Sequence, residues 1–233
     1  MTRAIDLNAD LGEGCPWDEL LLGRVTSASI CCGAHAGDPE AIDRTLRLAR
    51  ERGVVVGAHP GYPDREGFGR RDQSLSSLEL GQMVEGQLLQ LEALAAGAGV
   101  AVRFLKPHGA LYNQAQRQSD VAAPLMAAAS KRGLPILGQP GSEVERLARE
   151  LGVPFLAEGF ADRRYLPDGR LVSRSDPSAT LRDPAEVRDQ VLALVDRGIR
   201  TLCIHGDDPG AVDLADLVLA TLGRAGIAAR SFA

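Results

Sequence analysis

Each of the four histidines in the chain closely follows a short apolar run that reads as a strand: His35 after 28–32, His59 after 54–58, His108 after 102–105 and His205 after 201–204. A polar group just past a strand end stands where α/β proteins keep their chemistry. That repeated placement restricts the available folds more than composition does. The clearest instance is Phe104-Leu105-Lys106-Pro107-His108-Gly109-Ala110-Leu111-Tyr112-Asn113. Here an apolar run stops at a lysine and then at a proline, which cannot donate to a sheet ladder. Lys106, His108, Tyr112 and Asn113 are thereby crowded around one strand terminus.

Apolar patterning predicts strands over 4–8, 28–32, 54–58, 102–105, 134–138, 153–157 and 201–204, with a last one over 227–232. Helix-start chemistry fills the gaps. Asp38-Pro39 and Asp208-Pro209 read as N-cap and first turn, Asp183-Pro184 opens another helix, and Ser76/Glu79 and Ser142/Glu145 read as capping boxes. Leu80, Val84, Leu88 and Leu91 recur at helical spacing. In the first strand, alternation puts Asp6, Asn8 and Asp10 on one face, which suits a barrel strand aiming carboxylates into a site. The long segment between His59 and Ser76 reads as a lid or binding loop, with glycine hinges and arginines able to meet an anion. Pro167-Asp168-Gly169 between extended runs predicts a hairpin protruding around 158–182.

Strands alternating with helices predict one parallel α/β domain over 1–233. An open doubly wound sheet concentrates its site at one switch point. Here polar motifs follow at least five strands: Asp10, His35, His59, Lys106 with His108, and His205 with Asp207. A barrel brings all those ends to one mouth, so the expected fold is an irregular (β/α) TIM-like barrel of seven or eight parallel strands. With 45% hydrophobic residues the chain can bury a large core, and interspersed charges netting −5 argue against a nucleic-acid partner. The stretch Met1 to Asp6 holds no apolar run long enough for a signal peptide, and no membrane span follows. Cys31 and Cys32 are adjacent and Cys203 lies in an apolar run, which reads as reduced thiols in a cytoplasmic protein.

Any one of these histidines alone could be structural; their joint placement reads as a site. Three histidines with Asp10 could bind zinc and leave a position for an activated water. The chain shows no local His-x-x-x-His or Cys-x-x-Cys spacing, however, and Lys106 at the same mouth repels a dication. Without a metal, Lys106 can polarise a carbonyl while histidine and aspartate manage protons around a hydrolytic water, which is amide or ester hydrolysis. A Cys31 or Cys32 nucleophile with His35 as base is disfavoured by the strand placement of the thiols. Neither a phosphate loop nor a dinucleotide fingerprint is present, so a nucleotide, if used, binds in another arrangement or on a partner.

Several stretches carry a resemblance that runs, in order, along nearly the whole chain. They are Asp6-Leu7-Asn8-Ala9-Asp10-Leu11-Gly12-Glu13-Gly14, Cys32-Gly33-Ala34-His35-Ala36-Gly37-Asp38, Gly57-Ala58-His59-Pro60, the Lys106 to Asn113 stretch, Phe160-Ala161-Asp162-Arg163 and Ile204-His205-Gly206-Asp207. Together they resemble the LamB/YcsF family. The resemblance implies a barrel of the glycoside hydrolase/deacetylase type. It also implies cleavage of 5-oxo-L-proline to L-glutamate coupled to ATP hydrolysis, within a multi-subunit 5-oxoprolinase that has two further subunits, B and C. ATP, with Mg2+, would be bound with or by those partners. On the implied chemistry Asp10, His59 or His108 is the general base and Lys106 faces the oxyanion or a phosphate. Arg163 or Arg174 would clamp the substrate carboxylate, with Asn8, His35, Tyr112, Asn113, His205 and Asp207 completing the substrate site. Two other readings stand beside it: a stand-alone metal-dependent deacetylase-like amidohydrolase, and a non-catalytic metabolite-binding component. The family commonly has asparagine at Ser29, phenylalanine at Ala34 and valine at Gly159, departures expected to lie near the mouth.

Overall fold

The structure, a computed structural model, describes residues 3–174 and 176–232. Met1, Thr2 and Ala233, at the ends of the expected 1–233 domain, and Ser175, within the expected hairpin segment, lie outside the described residues.

Alternation in the first strand sets the plan. β1 (Ala4–Leu11) pairs in parallel with β2 (Ser27–Cys31), which continues to β3 (Val55–His59), β4 (Val102–Leu105), β5 (Ile136–Gly138), β6 (Phe155–Phe160) and β7 (Thr201–His205). β7 returns to β1, with Asp6 opposite Thr201 and Asp10 opposite His205. Seven parallel strands thus close a barrel. An eighth, β8 (Ala228–Ala229), pairs only with Ala4 and Ile5, the two residues of β1 below its pairing with β7.

Between the strands run α1 (Asp18–Leu22), α2 (Pro39–Arg52), α3 (Ser77–Ala98), α4 (Gly109–Ala115), α5 (Ser119–Arg132), α6 (Glu143–Leu151), α7 (Pro184–Asp196) and α8 (Ala211–Arg224). The expected start signals hold at α2, where Asp38 accepts from the Ala41 N–H, and at α3, where Ser76 and Glu79 form a full capping box. Two are corrected. Ser142 accepts from the Glu145 N–H, but the Glu145 carboxylate reaches back to the Gly141 N–H, so the box is half formed. Asp208 closes a turn onto the Gly210 N–H, and the helix begins later, at Ala211. The expected hairpin is reduced to the isolated antiparallel bridges Tyr165–Leu171 and Arg163–Thr180.

The apolar core lies between barrel and helices. Leu7, Ala9, Leu11, Ile30, Val56 and Leu202 project outward into the one apolar core that also holds the α3 stripe of Leu80, Val84, Leu88 and Leu91. Each such fully buried leucine contributes about 1.5–3 kcal/mol relative to exposure. The barrel lumen is polar instead. At its floor Asp6 accepts hydrogen bonds from Thr26, Ser27 and Thr201. Burial raises its carboxyl above the ordinary range, although those hydroxyls offset part of the shift. Phe104 also fills the lumen, and Gly57 is what admits it, since a Cβ there would lie 2.2 Å from the ring. Phe232 packs edge-on against Phe104, with ring centroids 5.4 Å apart.

Candidate active site

All four histidines stand at the C-terminal mouth, because every strand of the closed barrel runs the same way. Lys106 is the centre. It follows β4, where Pro107 ends the ladder, and its side chain turns into the lumen, 2% exposed. Its Nζ lies 2.7 Å from Asp10 Oδ1, 2.9 Å from Glu158 Oε1, 3.2 Å from Asn8 Oδ1 and 2.9 Å from Cys203 Sγ. Burial would lower the ammonium, but Asp10, Cys203 and Glu158 outweigh it and hold Lys106 well above the ordinary lysine range. Burial likewise pushes Asp10 up, and the His59 and Lys106 charges reverse the sign and hold it well below the usual carboxylate range. Lys106 is therefore a fixed cation.

Next to that cation, His59 Nε2 lies 3.5 Å from Asp10 Oδ2 and 3.0 Å from His108 Nδ1. On its far side His108 meets the segment between His59 and Ser76, here called the cover segment, where the Phe68 carbonyl accepts its Nε2 proton at 2.8 Å. Phe68 has φ +54°, the one non-glycine left-handed residue among those described, a conformation that costs energy and here aims a carbonyl at the site. Several arginines of this segment, expected to meet an anion, already have protein partners. Arg65 donates to the Gly33 and Gly37 carbonyls, Arg70 pairs with Asp207, and Arg71 pairs with Asp64, so its arginines are engaged with the protein itself.

Asp10, His59, Lys106, His108, Tyr112, Asn113, Arg163, Arg174 and His205 share one cavity of about 40 Å3. It adjoins a groove of about 880 Å3, lined by Arg70, Gly109, Asn113, Arg163, Leu171 and Arg174 from the cavity and by Arg117 and Gln139 beyond it. The Tyr112 hydroxyl is buried there on the Glu158 side, and burial with the Glu158 charge raises it well above the ordinary tyrosine range. Arg163 is buried, donating to the Val172 and Ala179 carbonyls, and burial with the Arg174 charge lowers it to about 10. Arg174 is exposed at the rim.

Three expected site residues stand behind the cavity wall instead. Asn8 lies beneath Lys106 and bonds Thr201 at 2.7 Å. His35 is stacked behind His108, centroids 3.8 Å apart, and Asp207 faces Arg70. Of the departures, Gly159 faces away from the mouth, where a Cβ would meet Leu194 at 3.0 Å, and Ser29 is buried within the lumen beside Asn8.

Sequence reading missed Glu158, Glu13 and Asp162. Glu158 was left beyond the end of its strand because β6 runs three residues past the apolar stretch, to Phe160. Alternation through Leu156, Glu158 and Phe160 was the available signal. Glu13 lies 3.1 Å from His35 Nε2 and 3.4 Å from His108 Nδ1. Burial and the Asp10 charge raise Glu13 well above the carboxylate range, and burial and the His59 charge lower His35 to about 3, so that contact joins two neutral groups. Asp162 orients His205 through Nδ1 at 2.9 Å.

Glu13, His35, His59 and His108 place donor atoms within 4.8 Å of one another, a spacing that invites a metal ion. The rings argue against all four serving one ion. His35 and His108 are 4° from parallel, so their in-plane lone pairs run side by side and cannot converge without rotation. Asp10, which the sequence grouped with the histidines, is held by Lys106.

Among known proteins, residues 5–233 match the LamB/YcsF family. A relative from Paracidovorax citrulli, named as the A subunit of 5-oxoprolinase, is 46% identical, covering 98% of this chain and 99% of its own. One of the same name from Mycolicibacterium paratuberculosis is 46% identical, with 98% of each chain covered. The crystal structure of a lactam utilization protein from Thermus thermophilus is 37% identical, with a TM-score of 0.90 over 98% of this chain and all of that one. A peptidoglycan deacetylase from Bacillus subtilis, at 14% identity and a TM-score of 0.54 over 99% of this chain and 88% of its own, shares the fold alone.

Proposed function

The chain belongs to the LamB/YcsF family, and from that membership we propose that it opens 5-oxo-L-proline to L-glutamate as one component of a multi-subunit, ATP-dependent 5-oxoprolinase in the cytoplasm, alongside the B and C subunits. The observation that carries the reading is the buried Lys106 ammonium, fixed among Asp10, Glu158 and Asn8 beside a pair of histidines. A five-membered lactam is a stable amide, and its carbonyl oxygen gains charge as the ring opens. A pre-oriented cation in a water-poor cavity stabilises that charge. Arg174, exposed and without an ion pair among the described residues, suits the substrate carboxylate, while Arg163 is occupied in holding the hairpin. Tyr112 and Asn113 line the same cavity.

ATP and its Mg2+ belong, in this proposal, with or on the partner subunits, since the chain holds no phosphate loop. Phosphorylation of the lactam oxygen is one way that coupling would weaken the amide. The test is glutamate release from 5-oxoproline with ATP, measured with and without the partner subunits. Release only with the partners supports the proposal; none in their presence sinks it. Metal analysis of the purified chain, with chelation and zinc addition, tests the deacetylase-like alternative.

A further inference from the structure

His59 and His108 stand with ring planes 88° apart and with His59 Nε2 and His108 Nδ1 facing each other at 3.0 Å. The outer nitrogens settle where the protons are. His59 Nδ1 is 2.8 Å from the Lys106 carbonyl oxygen, and His108 Nε2 is 2.8 Å from the Phe68 carbonyl oxygen. A carbonyl only accepts, so both outer nitrogens carry hydrogen. Two neutral rings would then present lone pair to lone pair at hydrogen-bonding distance, with both rings almost fully buried. One additional proton turns that clash into a charge-assisted hydrogen bond.

We propose that His59 and His108 hold this proton between them as a buried imidazolium–imidazole pair, and that His59 is the acid that protonates the departing lactam nitrogen. The second clause rests on the amide-cleavage reading above; the first does not. The surroundings favour a cation on the His59 side. From β1, Asp10 Oδ2 faces His59 Nε2, with Lys106 of β4 on its other oxygen. After β1, Glu13 faces His108 as a neutral acid; from the β2 loop, neutral His35 stacks on it. The cover segment brings Arg70, paired with Asp207. Cys203 and His205 of β7 and Glu158 of β6 face the Asp10–Lys106 side. Burial and the His59 charge hold His108 well below the ordinary histidine range, so it is the acceptor.

In the step itself, water oxygen bonds to the lactam carbonyl carbon and the C–N bond breaks. Its electron pair stays on nitrogen, which takes the proton from His59 Nε2. One water proton returns to the pair and the other stays on the new carboxyl group, so one water is added across the C–N bond and the histidines end as they began. Lone-pair opposition in the spent pair favours that return.

Nitrogen-15 NMR of the isolated, histidine-labelled chain at pH 7.5 tests the proton. Expected are one ring protonated at both nitrogens, one protonated only at Nε2, and a downfield proton between them that is lost in His108→Gln. Two neutral rings, or a stoichiometric metal found by mass spectrometry, would overturn it. If His108→Gln does not fold, the wild-type spectrum still decides, with His205 identified through His205→Asn. The acid role is read with partner subunits present, comparing 5-oxoproline with its thiolactone analogue, whose thiolate leaves without needing a proton. His59→Gln is expected to lose about a hundredfold or more on the lactam and under about threefold on the thiolactone. Equal losses overturn the acid role. A wild-type complex that opens neither ring overturns that role together with the function reading, and the spectrum alone then judges the shared proton.

Discussion

The two faces of the same seven strands obey opposite rules. Outward, Leu7, Ala9 and Leu11 of β1 pack on helices as an ordinary apolar core. Inward, Asp6, Asn8 and Asp10 of the same strand build a polar column, Asp6 and Asn8 satisfied by the adjoining strands β2 and β7 and Asp10 by Lys106 from across the lumen. A β-strand changes face at every residue, so one eight-residue segment serves both purposes. The outer face can tolerate a lost methylene because contacts are many and nondirectional. The inner face cannot lose a partner without leaving a buried charge uncompensated.

Lys106→Met is the strongest attempt to break that contrast, because it keeps the volume and removes only the cation. Turnover should fall at least about hundredfold, and stability at pH 7 by about 3–5 kcal/mol, read by glutamate release and chemical denaturation. The sign with pH follows from Asp10. Its depressed folded-state value supplies stability above the ordinary aspartate range and loses it as pH falls through the folded value. The gap between wild type and variant should therefore hold from pH 7 down to about pH 4 and narrow below it. A constant gap would mean the lysine acts through packing. Leu88→Ala, in the α3 stripe of the core outside the barrel, should cost about 2–5 kcal/mol while leaving turnover per folded molecule unchanged. A loss of turnover in the folded fraction would show that the two faces are coupled.

Arg174→Gln should raise KM about tenfold with Tm and kcat unmoved, since the side chain is exposed and makes no ion pair among the described residues. Smallest is Asp38→Ala at the start of α2, expected to cost about 1 kcal/mol in Tm-derived stability and nothing in activity.

Much of this contrast was legible beforehand. Period-two alternation marked Asp6, Asn8 and Asp10 as one face, and the strand-end positions of His59, Lys106, His108 and His205 marked the mouth. What stayed hidden depends on distance in sequence. Alternation along β6 could place Glu158 on the inner face, but no local pattern identifies Lys106 as its partner. His35 sits behind His108 because the cover segment folds over both, which strand spacing cannot show. The short helices α1 and α4 went unread because they are single turns or two, below the length at which periodicity shows.

Closure of β1 against β7 has a further consequence, one of timing. Asp6 and Asn8 find Thr201 across 195 and 193 residues. Contacts of such separation form late, because the loop-closure entropy must be met before any of them is made. While the chain is being synthesised, the first strand emerges with its inner face bare, and its carboxylates keep their water until the seventh strand arrives. The reacting centre is thus among the last features to assemble, and a partly folded chain carries an apolar shell in the making but no organised lysine.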